Sequence, residues 1–217
     1  MSSLEYIKHL ESRSRRITIS HEDSDTGPRV GGHAPDGVVP PFVNSSTRFF
    51  ATLELDPGTE REVSVFVSID WDDQTCYETS NPNSLWITVS KLMATDCPLV
   101  QCVVYQSARR SSSPHLASDL DGRALFIAGE SPDIVVEPGG ELLLPSKIGG
   151  RPYYYYGTPS YIQSVHRLLE QGFCLFLQMT FPGFKESPPG LWPFGEYTFH
   201  LLAKESGGGI AWHYGWG

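Results

Sequence analysis

Seven histidines, four cysteines and one tight group of carboxylates are the residues of this chain whose chemistry reaches beyond packing. The histidines are His9, His21, His33, His115, His166, His200 and His213, and the cysteines are Cys76, Cys97, Cys102 and Cys174. Cys97 and Cys102 are too far apart for a CxxC redox or zinc pair, and no second pair stands at ligand spacing, so the cysteines read as reduced and mostly buried thiols. His200 and His213 fall on neighbouring C-terminal strands and, with Cys174, form the one candidate metal site. No carboxylate lies near them in sequence to orient the rings, so isolated strand or surface histidines are the simpler reading, and no metal or cofactor is expected.

The carboxylates are Asp70, Asp72 and Asp73, in "DWDD" with Trp71. Calcium would require more oxygen ligands at defined spacing and a distal Glu. Two readings remain, a solvated strand end and an acidic, aromatic patch that meets a basic partner. A second aromatic concentration, Tyr153, Tyr154, Tyr155 and Tyr156 in "KIGGRPYYYYGTP", divides the same way. In a strand, alternate tyrosines face opposite sides, so one pair packs inward and the other faces out, where tyrosine offers contact area at low entropic cost. The alternative packs them between a helix and the C-terminal strand.

No G-x-S-x-G elbow, P-loop, G-x-G-x-x-G or H-E-x-x-H occurs, and Ser160 in "GTPSY" reads as a helix cap. The chain is expected to be non-catalytic.

The elements that position these residues are mostly strands. "RFFATLEL" and "EVSVFVSIDW", separated by "DPGTER", predict a β-hairpin, with Val63, Val65, Val67 and Ile69 alternating against Ser64, Phe66 and Ser68. Further strands are expected at 84–92, 99–108, 123–129, 133–137, in "FCLFLQMTF", in "GEYTFHLLAK" and in the closing "GGGIAWHYGWG". Leu4, Ile7 and Leu10 predict a short helix over 3–13, with "SRSRR" flanking it. Ile162, Val165, Leu168 and Leu169 predict a second over 160–171, with Gly172 at its stop position. The segments 21–41 and 108–122 read as irregular.

A length of 217 residues with 40% hydrophobic and 19% charged content fits a globular chain. We read it as one compact domain over 1–217. Its 21 glycines and 17 prolines are spread along the chain, as many short strands separated by turns require. Net charge of −9 disfavours nucleic acid, whose binding needs a basic surface. No window approaches a membrane span and no signal peptide is read, so the expected location is cytoplasmic.

"RVGGHAP" and "KIGGRP" are two versions of one element, built on Gly31, Gly32 and Pro35 and on Gly149, Gly150 and Pro152. Two residues without Cβ permit positive φ or close backbone approach, and the proline fixes the exit direction. After each come an aromatic-led strand, a Pro-Gly turn and a strand containing Phe. This shared order predicts a pseudo-repeat of 29–75 and 147–217.

"KIGGRP" followed by "FCLFLQMTFPG" and "EYTFHLL" resembles the YwqG-like domain-of-unknown-function family, and more distantly the programmed cell death protein 2 group. The resemblance is best over 147–203 and fainter over 29–70. Leu177-Gln178 fits its pattern, Leu53-Glu54 departs from it, and the cysteine-rich zinc module of the second group has no counterpart. The resemblance implies a mainly β (α+β) fold of two related antiparallel β units, as a duplicated sandwich. For bacterial members it also implies association with toxin and immunity loci. The expected function is therefore that of an immunity protein binding a cognate toxin domain through Asp70–Asp73 and Tyr153–Tyr156. The alternatives are a chaperone or adaptor for a basic client and, last, an enzyme of unknown class.

Overall fold

The computed structural model describes residues 13–24, 26–45, 47–68, 100–106, 112–118, 120–133, 146–154, 159–180, 198–207 and 209–216. These residues are mainly β. Their twelve strands are β1 (Arg13–Asp23), β2 (Arg29–Val30), β3 (His33–Pro35), β4 (Thr47–Glu54), β5 (Arg61–Ser68), β6 (Val100–Gln106), β7 (Ser112–Ala117), β8 (Arg123–Pro132), β9 (Lys147–Gly149), β10 (Cys174–Met179), β11 (Phe199–Ser206) and β12 (Gly209–Trp216), and the one helix among them is α1 (Pro159–Glu170). Two compact units divide the chain, the first holding Met1–Thr18, Ile127–Phe181 and Phe194–Gly217, the second Ile19–Phe126 and Pro182–Pro193.

In the second unit the antiparallel neighbours run β8-β2-β4-β5-β6. The β4–β5 hairpin forms where the residue pattern predicts it, and Gly58 takes a φ of 75° in the turn that Asp56 and Thr59 close. The alternation hides a difference, because β5 is buried on both faces from Val63 to Ser68. Val63, Val65 and Val67 make one face apolar. On the other, Phe49 meets Phe66 edge-on at 5.8 Å between ring centroids, beside Ala34 and Val38. That same face buries hydroxyls that satisfy each other: Thr52 and Ser64 at 2.6 Å, Ser64 and Tyr105 at 3.2 Å, with Tyr105 donating to Glu62 at 2.8 Å. Burial pushes the Tyr105 phenol up to about 12, so it stays a donor.

The first Gly-Gly corner sits in this unit, with φ of 74° at both Gly31 and Gly32. Gly31 donates to Phe50 O at 2.8 Å and Gly32 to Leu120 O at 2.8 Å. A Cβ on Gly31 would overlap the Asp121 carbonyl oxygen and touch Leu120. Gly31→Ala combines that overlap with a φ that L residues avoid, so we expect it to cost about 2 kcal/mol or more in urea unfolding. A loss below about 0.5 kcal/mol would show that the corner yields.

In the first unit the neighbours run β12-β11-β10-β9-β1. β10 is buried at every residue, with Phe176 against Trp212 at 5.3 Å. Helix α1 buries Tyr161 and Val165, one turn apart on a single face. It closes with Gly172 at φ 87°, donating to Leu169 O, while Phe173 donates to Leu168 O, the paired bonds that end a helix on a left-handed glycine. Ser160 lies inside the first turn rather than before it, accepting Ser164 Oγ at its carbonyl, so it is not the cap.

Several expectations change. Arg13 to Arg16 open the long strand β1, and the tract 108–122 contains β7. β8 continues to Pro132 and Asp133 lies beyond it, so no strand begins at 133. The 21–41 segment holds β2 and β3. The N-terminal helix, the 84–92 strand and most of the 133–137 strand fall outside the described residues. No described helix is long and apolar enough to cross a membrane.

Candidate functional site: a buried polar row in the first unit

Three adjacent strands of the first unit set Lys147, Gln178 and His200 directly across from one another, Lys147 opposite Gln178 and Gln178 opposite His200. All three are buried, at 1%, 0% and 0% exposure, in positions where strands normally carry apolar side chains. Each must then find polar partners, since an unpaired buried charge or amide is costly.

Lys147 finds Asp133. Its Nζ lies 2.7 Å from Asp133 Oδ1 and 4.3 Å from the centroid of the Tyr153 ring. Desolvation lowers the ammonium pKa and the Asp133 contact works against that shift. Asp133 Oδ2 accepts the Arg151 N–H at 2.7 Å, so the carboxylate ties the strand to the chain leaving the corner. Gly150 makes room for it. A Cβ there would stand 2.5 Å from Asp133 Cγ, and its φ is 75°.

Gln178 Oε1 accepts the Tyr153 N–H at 2.8 Å. His200 Nε2 lies 2.7 Å from Tyr153 O, an acceptor only, so Nε2 carries the proton. Nδ1 is therefore the acceptor for the Tyr161 hydroxyl at 2.6 Å. The His200 pKa lies down at about 4, chiefly through burial, with the Tyr153 bond raising it and the nearby Lys147 charge lowering it. Burial and the neighbouring Tyr154 raise Tyr161 well above an ordinary phenol. The proton between them stays on Tyr161 at neutral pH, because the imidazole is far too weak a base to take it. Tyr161, His200 and Tyr153 thus form a fixed hydrogen-bond chain.

Of the tyrosine run, Tyr153 and Tyr154 lie in irregular chain, not in a strand, and both are half-buried. Tyr154 packs edge-on against Tyr161 at 5.6 Å and lies 5.4 Å from the His200 ring. Its hydroxyl is buried without a hydrogen-bond partner. Tyr155 and Tyr156 fall outside the described residues, as do Asp70, Trp71, Asp72 and Asp73. Gly149 and Gly150 take φ of 76° and 75°, and Pro152 follows in irregular chain, whereas Pro35 ends β3.

The His200, His213 and Cys174 constellation does not assemble. Both ring nitrogens of His200 are engaged, and His213 packs edge-on against Phe173 at 4.8 Å. Cys174 pairs with Ala203, one position away from the Leu202–His213 pair, so its side chain points to the opposite face. Among the described residues no three His, Cys, Asp or Glu side chains are grouped to hold a metal ion. Cys102 is a free thiol, and burial raises its pKa.

Residue-by-residue reading missed Lys147, Asp133, Gln178 and Tyr161. One signal for Lys147 was present, since "KIGG" and "RVGG" both put a cation ahead of an apolar residue and two glycines. Arg29 is the counterpart in the second unit. It is 1% exposed, donates to Gly27 O at 3.0 Å and His33 O at 2.6 Å, and lies 5.2 Å from the Phe49 ring. No family model, curated protein or solved structure matches this chain.

Proposed function

We propose that this protein is a non-catalytic protein-binding module, most concretely a cytoplasmic immunity protein that neutralises a cognate toxin enzyme by direct binding. One observation carries the reading: the acidity is concentrated in the second unit, which has sixteen Asp and Glu against eight Lys and Arg, while the first has nine against eight. A lopsided charge steers an oppositely charged protein and raises its association rate. The engagement of the buried row in internal hydrogen bonds supports the same reading, because those groups hold the fold together.

We also propose that the two units derive from one duplicated β unit of the YwqG-like kind. The series β1-β9-β10-β11-β12 and β8-β2-β4-β5-β6 have matching antiparallel partners, each enters through a Gly-Gly corner behind a buried cation, and the strands that pair with β9 and β2 are irregular at a matching place, Leu175/Leu177 in β10 and Phe49/Ala51 in β4. By this register the equivalent of Gln178 is Thr52, which lies opposite Arg29, and not Glu54. Phe66 is equivalent to Leu202, and not to Phe199.

Co-expression with the products of neighbouring genes tests the function. Protection of the host from one of them, with a stable complex on purification, is the expected result. Failure to bind or protect against any of them would sink the reading. Improved solubility of a basic client without protection would favour the chaperone or adaptor alternative.

A further inference from the structure

We propose that the Val39–Val43 loop of the second unit is the contact surface for a basic protein partner, with Phe42 entering an apolar pocket rimmed by Lys or Arg. This rests on the protein-binding reading above and assigns it to residues that reading does not name. Val39, Phe42 and Val43 are 58%, 50% and 54% exposed, and Phe126 is the one other large apolar side chain so exposed among the described residues. Single exposed apolar residues are ordinary, but three within five positions concentrate exposed apolar surface in one loop, the kind of feature that marks a contact site.

The loop is held in place from beneath. Val38 and Pro40 are buried, and the Val38 N–H donates to Pro35 O at 3.0 Å. Gln101, itself 6% exposed, clamps Phe42 from both sides of the peptide, accepting its N–H at 3.0 Å and donating to its carbonyl at 2.7 Å. Beyond it, the Asn44 N–H donates to Thr47 Oγ1 at 2.9 Å and Thr47 N–H to Asn44 O at 3.2 Å. Two prolines, Pro40 and Pro41, restrict φ within the segment. A loop fixed this way loses little entropy on binding, so its apolar area converts more fully into affinity.

Charge selects the occupant. The loop belongs to the unit with the two-to-one excess of carboxylates, which attracts a basic surface and repels both an anionic membrane and a second copy of the same unit.

The test uses a displayed library of random peptides selected on the full-length chain. Enriched peptides are expected to combine Lys or Arg with an aromatic or aliphatic residue, and their affinity is expected to fall as salt rises. Phe42→Ala should weaken them by about tenfold or more, while Phe126→Ala leaves them unchanged. Gln101→Ala, which frees the loop without removing a contact, should weaken them by a smaller factor. Circular dichroism of each variant verifies folding. Peptides that bind Phe42→Ala as well as wild type, or that carry no positive charge and ignore salt, overturn this assignment and leave the protein-binding reading standing. If no peptide is enriched, both fall. A wild-type dimer in sedimentation that Phe42→Ala dissociates would make a second copy the occupant and also overturn it.

Discussion

Lys147→Met is expected to destabilise the protein by about 3–5 kcal/mol, the range for removing one member of a buried ion pair. Methionine keeps most of the apolar stem, so the loss comes from Asp133, whose Oδ1 loses its 2.7 Å contact while the side chain stays 9% exposed. Asp133→Asn leaves the complementary problem, a buried ammonium over the Tyr153 ring with a weaker partner. The double variant Lys147→Met/Asp133→Asn removes both charges, and it should recover a large part of the single-variant loss. Urea unfolding of the four proteins gives the coupling directly. Additive losses would show that the two groups do not act as a pair.

The second large effect is a loss of stability in acid that depends on His200. Its folded pKa of about 4 lies below the ordinary value of 6.5, so between those two values the unfolded chain binds a proton that the folded chain does not. The contribution is therefore complete above pH 6.5 and is lost progressively as pH falls towards 4, with a magnitude on the order of 3 kcal/mol. His200→Gln keeps a donor for Tyr153 O and cannot titrate. The difference in unfolding free energy between wild type and His200→Gln should shift across this window in favour of the variant. A constant difference from neutral pH down to 4 would show that the imidazole titrates alike in both states.

The fold was largely legible where local pattern and turn chemistry agree. The β4–β5 hairpin, helix α1 with its glycine stop, and the closing β12 follow from alternation, helical spacing and Pro or Gly punctuation. β1 was not legible, because "RSRRITISHED" looks solvated and its register with β9 is a long-range fact. β2, β3 and β9 have two or three residues each, too few to show a period. The same limit hid the buried row. Lys147, Gln178 and His200 are 22 to 53 residues apart, and only strand pairing brings them side by side. A lysine or glutamine in a sequence reads as solvated until its partners are known, and Asp133 is supplied from the far side of a 13-residue gap. The tyrosine run was legible only as two alternatives for a related reason: Tyr153 and Tyr154 leave the Gly-Gly corner in irregular chain rather than a strand, and Tyr154 packs against Tyr161 of α1 and the His200 ring of β11, as the alternative of packing between helix and strand expects.

Recognition through the second unit, with the row in the first unit serving the fold, is the central claim. Calorimetric titration of a co-purifying neighbouring gene product into wild type, Phe42→Ala and His200→Gln tests it most directly. The account predicts that His200→Gln binds like wild type at neutral pH, and that Phe42→Ala binds about tenfold more weakly or worse. Loss of binding in a folded His200→Gln, with Phe42→Ala unaffected, would contradict it.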